Sequence, residues 1–227
     1  MKNNKVLAII KINFMQSKLA YILTSIIFLL ICGNIIIQYG SNPGNRSVSA
    51  GNYLYLLIIF AAIFIPTVNF KKFMHLNARK IDFYWGSFFN YIAFSAAVSI
   101  SNLIVFYTAD RFFGTRITIW NLVKIFEWSN NGMMLTFLQQ FAFLLLTAVF
   151  IHTLTSMQTF WFGWTIDAVL AAVISIFIPI APLKAVLAGF FNIIIFNNNS
   201  CLQIIACLGL SAAIYALNYI VLLRKKI

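Results

Sequence analysis

Leu19 to Tyr39 reads LAYILTSIIFLLICGNIIIQY, twenty-one residues with no charge among them. Crossing roughly 30 Å of hydrocarbon takes about 20 helical residues, so this run predicts a membrane span. It exceeds the h-region of a signal peptide, about 7–15 residues, and lacks a convincing small-residue cleavage site. It is therefore expected to remain as a helix. Five more runs meet the same test: Tyr53 to Phe70, Ser87 to Thr108, Met133 to Thr153, Trp161 to Ala181 and Cys201 to Leu223. The chain reads as an all-α polytopic membrane protein with six transmembrane helices, a single domain over residues 1–227.

Composition points the same way. Hydrophobic residues make up 62% of the chain and charged ones 9%, against about 45–50% and about 25% in soluble domains, so a water-facing surface cannot be built. Mean hydropathy is +0.92. A net charge of +12 would suggest nucleic acid if Lys and Arg gathered on one face or tail. Here they stand in short groups between apolar runs, the pattern of membrane topology, and no nucleic-acid partner is expected. With the N-terminus inside, Lys2, Lys5, Lys11, Lys18, Lys71, Lys72, Arg79, Lys80, Arg224, Lys225 and Lys226 fall on the inner side. Arg46, Arg111, Arg116, Lys124 and Lys184 fall outside. The bias predicts a plasma-membrane protein with both termini cytoplasmic.

The outer connections differ in kind. Gly40 to Asn52 (GSNPGNRSVSAGN) has the composition of a flexible loop. Ala109 to Asn131 sets Ile119, Trp120, Val123 and Phe126 beside Lys124 and Glu127, which suits a short interfacial helix. Pro182 to Ser200 (PLKAVLAGFFNIIIFNNNS) is apolar but too short to cross, and reads as re-entrant or interfacial. Counting it as a seventh span would put the basic tail outside, against the charge bias. Inside, MKNNKVLAIIKINFMQSK carries Leu7, Ile10 and Phe14 with Asn4, Lys11 and Lys18 on another side, an imperfect amphipathic helix.

Four acids and two histidines leave little for catalysis. The sequence has no H-E-x-x-H, no Cys pair at zinc spacing, no G-x-S-x-G and no G-x-x-x-x-G-K-[ST] loop, so no metal, cofactor or nucleotide site is expected. Cys32, Cys201 and Cys207 read as packing. Asp167 is the only acid inside an expected span; it suits a structural or interfacial role near the helix start, or a relay. The amides Asn34, Asn69, Asn90, Asn102, Gln139, Gln140 and Asn218 read as interhelical hydrogen bonders. Neighbours Gln139 and Gln140 point about 100° apart, so one of them could face a partner subunit or a pathway. Pro66 is expected to kink the second span, whether for packing or for movement. His152 and Asp167 could meet at the inner ends of spans four and five, but without a nucleophile or metal set they define no reaction. Asn45 and Asn198 begin N-x-S triplets, which are common by chance.

The most distinctive inner segment is KKFMHLNARKIDFYWGSFF, Lys71 to Phe89. Basic Lys71, Lys72, His75, Arg79 and Lys80 and acidic Asp82 interleave with Phe73, Met74, Leu76, Phe83, Tyr84 and Trp85. A short helix over 71–87 would lie along the membrane with its charges toward the cytoplasm, as a topology anchor or as a docking element.

In layout the chain resembles the membrane (permease) subunits of type-2 ABC exporters. MKNNKVLAIIKINFMQSK, FMHLNARKIDFYWGSFF and PLKAVLAGFFNIIIFNNNS stand where those permeases have an amphipathic elbow helix, a cytoplasmic coupling helix between spans two and three, and a re-entrant outer segment before the last span. Leu76, Asn77, Ala78, Arg79, Lys80, Phe83 and Gly86 match the coupling segment's common pattern of a leucine, a small-polar turn, a basic pair, an aromatic and a glycine. The resemblance implies half of a permease, paired with a second copy or a sister subunit. It also implies a separate ABC ATPase subunit that binds ATP and magnesium, with Lys72, His75, Arg79, Lys80, Asp82 and Phe83 as the contact surface and His152 to Phe160 as a secondary one. Asp167, Gln139, Gln140 and Asn102 remain pathway or interhelical candidates.

The cargo expected is an amphipathic peptide or lipid-like molecule in membrane-lipid surroundings, since ionisable path residues are lacking. Small permeases of this layout resemble exporters of phenol-soluble modulins and other antimicrobial or cytolytic peptides, or proteins of self-immunity to them. The rival readings are an ATP-independent secondary transporter or channel, and a non-catalytic immunity or assembly subunit.

Overall fold

The structure is a computed structural model that describes residues 2–41, 44–197 and 199–225, with side chains in the first helix from Val6 on. Lys226 of the basic tail and Asn198 of the second N-x-S triplet lie outside the described residues. Helix α1 (Lys2–Gln16) runs almost directly into α2 (Lys18–Ser41). There follow α3 (Ala50–His75), α4 (Lys80–Phe113), α5 (Met133–Met157), α6 (Trp161–Phe177), α7 (Ala181–Ile194) and α8 (Ser200–Arg224). Five of these, α2, α3, α4, α5 and α8, are long and apolar enough to cross a membrane. The pair α6 and α7 passes that test together but is bent by 117°. Pro179 and Pro182 lack the N–H that a continuous helix would need at that bend. By length and composition, the described residues thus hold five helices able to cross a membrane, or six if the bent pair counts as one.

Most expected spans start and stop close to observed helices, but the third grows at both ends. Its apolar run begins at Ser87, yet the helix starts at Lys80 and continues past Thr108 to Phe113 through a π-helical stretch at Phe106–Asp110. Asp82 and Asp110 therefore lie within one continuous membrane-length helix, and Asp167 is not the only acid in such a segment. Helix α3 contains a second π-helical stretch, Ile65–Asn69, around Pro66. There the Phe70 N–H turns to Ile65 O, as the missing proline donor breaks the regular ladder.

The expected single short helix over 71–87 is not formed. Phe70–His75 continues α3, Leu76 to Arg79 turn the chain with Asn77 at φ 54°, and α4 opens at Lys80. An asparagine tolerates that left-handed backbone better than most residues. The segment is therefore a corner between two long helices.

Helix α1 packs on α4. Its buried stripe is Ile9 and Asn13, continued by Ser17 just past its end, whereas Leu7 of the anticipated apolar side is exposed. A Cβ on Gly86 would lie 2.5 Å from Ile9 Cγ2, so glycine is what lets α1 come this close. Phe14 packs tilted against Phe94, ring centres 4.6 Å apart. Helices α5 and α8 pack along their length, with Ala142, Leu146 and Cys207 in one buried cluster.

At the opposite end the flexible loop and the interfacial helix expected from sequence are tied into one frame. Arg46–Val48 and Thr118–Trp120 form two short parallel strands, β1 and β2, extended by Thr118 N to Asn45 O at 2.8 Å and Ser49 N to Trp120 O at 3.0 Å. Beyond the end of α4 at Phe113, helix in the 109–131 segment is limited to short turns such as Leu122–Ile125.

Candidate functional site

Two polar groupings stand out, one at each end of the bundle. At the corner end, Arg79 makes a bidentate pair with Asp82, Nε to Oδ2 at 2.9 Å and Nη2 to Oδ1 at 3.0 Å. Asp82 accepting those bonds raises the Arg79 pKa above its usual value. Lys80 Nζ donates to Leu223 O at 2.9 Å and Lys225 O at 2.7 Å. A cation placed on the last carbonyls of α8 satisfies acceptors that a helix end leaves open. Lys225 Nζ in turn donates to Pro66 O at 2.8 Å and sits 4.7 Å from the centre of the Phe70 ring. Burial, with Lys71 close by, pulls its ammonium down to about 8.

The expected contact residues thus divide. Lys72, His75 and Arg79 are exposed, as are Lys71 and Leu76. Lys80 is half-buried and engaged with the end of α8, Asp82 is buried under Arg79, and Phe83 is fully enclosed against Phe70 and Phe73. Phe83 is part of the core and offers no surface to a docking protein.

Above the corner, α4 and α8 are clasped by tyrosines. Tyr84 OH donates to Tyr215 O at 3.0 Å, Tyr215 OH donates to Tyr84 O at 2.6 Å, and their rings stack at 4.4 Å. Deeper still, Tyr91 OH and His152 Nδ1 share a hydrogen bond of 2.6 Å. His152 therefore meets Tyr91, while Asp167 accepts from Gln158 Nε2 at the start of α6; the sequence pairing of His152 with Asp167 is replaced by these two partnerships.

The other pathway candidates resolve individually. Gln139 accepts from Asn131 Nδ2 at 3.1 Å and donates to Gln203 Oε1 at 2.5 Å, and Gln203 reaches Ile194 O at 3.1 Å. Gln139 thereby helps hold the end of α7. Gln140 is fully enclosed and neither of its amide atoms has a partner among the described residues, so neither glutamine faces outward toward a second subunit.

The loop-end grouping was not anticipated. Asp110 Oδ2 accepts from Ser49 Oγ and Asn121 Nδ2, both at 2.7 Å. Asn121 Nδ2 also lies 3.3 Å from Asn102 Oδ1, and Asn102 Nδ2 donates to Tyr55 OH at 3.1 Å. Gly51 leaves room for Asn102, whose Oδ1 would be 1.9 Å from a Cβ there. Ser49 and Asn121 each cap a helix start through their side chains, and a Ser or Asn before a helical run is the signal that could have flagged both. Asp110, Asn121, Arg111, Lys124 and Glu127 also line an open cleft of about 740 Å³. Among the described residues no three His, Cys, Asp or Glu side chains come together as a metal site would require.

No family model matches the chain, and neither a curated protein nor a solved structure matches it.

Proposed function

We propose that this chain is the membrane subunit of a type-2 ABC exporter, half of a permease that moves an amphipathic peptide or lipid-like cargo and is driven by a separate ATPase. The observation that carries the reading is the corner at residues 76–79. It joins two membrane-length helices, presents exposed Lys71, Lys72, His75, Leu76 and Arg79, and is bound through Lys80 to the end of α8. A push on such a corner is delivered to three long helices at once, which is what a mechanical coupling between ATP and transport needs. In this reading the corner lies on the cytoplasmic side, within reach of a cytosolic motor, and the bias of basic residues toward that side supports it. The faces of α2, α6 and α7 left bare by the bundle serve for lipid and for the second permease half.

The docking surface in this proposal is the exposed set, with Lys80, Asp82 and Phe83 shaping the corner from within. The test is to purify the tagged chain from its native membrane and measure vanadate-sensitive ATPase activity, with and without Lys72→Glu and Arg79→Glu together. The reading expects activity that accompanies the chain and is lost in the double variant while insertion is retained. Activity unchanged by both charge reversals, or a cysteine at position 79 labelled from outside the cell, counts against it.

A further inference from the structure

Helix α4 has 34 residues, which at about 1.5 Å each outreach the roughly 30 Å of hydrocarbon a span must cross. Its last turn, with Arg111 close to the end at Phe113, therefore belongs at the level of lipid headgroups. The buried bond from Asn121 Nδ2 to Asp110 Oδ2 at 2.7 Å ties this helix end to the start of the Leu122–Ile125 turn. Asn121 caps that turn through Val123 N at 2.9 Å, and Lys124 N bonds Asn121 O at 3.0 Å. Arg111 follows Asp110 directly and Lys124 lies in the turn that Asn121 caps. One buried bond thus brings two cations to the same open cleft of about 740 Å³.

Glu127 adds the opposite charge to that cleft. Its backbone is left-handed, at φ 58°, a conformation that costs an L residue about 1–2 kcal/mol and that collects at ligand sites. The turn seats Trp128 in the core, with Trp128 Nε1 on Ile195 O at 2.9 Å, and leaves Glu127 exposed. Lys124 and Glu127 would be neighbours on one face of a continuous helix. Here both stay exposed with Arg111, and among the described residues none of the three enters an ion pair. A second irregularity meets the same cleft: the π-helical stretch Phe106–Asp110, of which Phe106, Tyr107 and Asp110 line it. Such stretches are frequent at functional sites.

We propose that this cleft binds a zwitterionic headgroup of phosphate and amine, the phosphate held by Arg111 and Lys124 and the ammonium by Glu127. A guanidinium fork matches phosphate oxygens two at a time, and a lysine adds a point charge. A carboxylate in the same cleft repels a bare anion and suits a phosphate that carries an amine. The Asp110 and Asn121 bonds already fix the backbone beneath the two cations, so binding has less left to order. A membrane phospholipid and soluble phosphoethanolamine share this chemistry. The inference stands independently of any ATPase.

Titrating the full chain in a maltoside detergent with dihexanoyl phosphatidylethanolamine tests it, against dihexanoyl phosphatidylglycerol, which keeps the phosphate and the acyl chains but lacks the amine. The ethanolamine lipid should bind saturably and about tenfold more tightly, the effect of one charge-assisted hydrogen bond. Arg111→Ala with Lys124→Ala should weaken both lipids severalfold or more. Glu127→Gln should weaken the ethanolamine lipid alone, a split that general loss of structure does not produce. Free O-phosphoethanolamine separates the sources: affinity equal to the lipid's makes the occupant a soluble ligand, and much weaker affinity makes it a membrane lipid. The proposal is overturned by no saturable binding of either amine-bearing probe, by equal affinity for the two lipids, or by a preference that survives Glu127→Gln. Binding unaltered by the alanine pair, in a chain that keeps its thermal unfolding transition, overturns it as well. Should that pair not fold, Glu127→Gln alone decides.

Discussion

The two ends of the bundle use polar residues in opposite ways. At the loop end a single carboxylate, Asp110, gathers Ser49 and Asn121, the residues that follow the paired strands β1 and β2. At the corner end the polar groups are mainly cations whose partners are backbone carbonyls or the buried Asp82, and several remain open to solvent. The first arrangement is a closed frame that holds helices in place; the second braces helices against one another while still displaying charge. A protein built this way has a fixed end and an addressable end.

Breaking the frame should have the largest effect. Asp110→Ala removes two hydrogen bonds to a carboxylate, contributions of about 1.5–3 kcal/mol each, and leaves Ser49 and Asn121 without that acceptor. A loss of about 3 kcal/mol is expected in chemical unfolding in detergent. A loss no larger than that of an exposed substitution would mean the cluster frames nothing. Gly86→Val tests the seat of α1 at the other end: overpacking against Ile9 should cost about 1–3 kcal/mol and raise proteolysis within residues 6–16, while leaving the loop end protected.

A smaller effect, with a sign that separates the ends, comes from Lys225. Its folded pKa, about 8, lies below the ordinary 10.5. Below about pH 8 the side chain is protonated whether folded or unfolded, and the penalty of burying that charge is fully present. Between about pH 8 and 10.5 the folded chain gives up the proton first, so stability should rise with pH. Lys225→Met should abolish that rise, and a rise of equal size in the variant would place its origin elsewhere. The smallest effect on the fold is expected from Arg79→Glu: the guanidinium is exposed although Asp82 beneath it is buried, a half-solvated pair of this kind contributes modestly, and a correspondingly small loss in unfolding should accompany loss of the ATPase activity that the proposed function expects.

Long apolar runs made the helices legible, since lipid allows few alternatives to a self-satisfied helix. The boundaries failed where hydropathy and hydrogen bonding disagree. Asp110 reads as loop because it is an acid, yet the π-helical stretch before it and its partners Ser49 and Asn121 keep it inside a helix. Strands β1 and β2 are three residues each, too short to show alternation, and exist because two distant loops meet. The corner escapes local pattern for a similar reason. Basic and aromatic residues in alternation look like a surface helix, whereas Asn77 turns the chain there and buries Phe73 and Phe83 as core. The cation roles of Lys80 and Lys225 depend on where α8 ends in space, which no local pattern encodes. Gln139 was recognisable as an interhelical bonder, but its partner Gln203 was not.

The bent pair α6 and α7 buries few of its residues, Gly163 and Ile194 among them, and its far tip is held where Trp128 Nε1 and Gln203 Nε2 grip the carbonyls of Ile195 and Ile194, at 2.9 and 3.1 Å. It is anchored like a shutter at one end, with much of its panel exposed. A hydrophobic molecule arriving at this flap would meet apolar side chains such as Val169, Ile174, Val186 and Phe190 already bared to it.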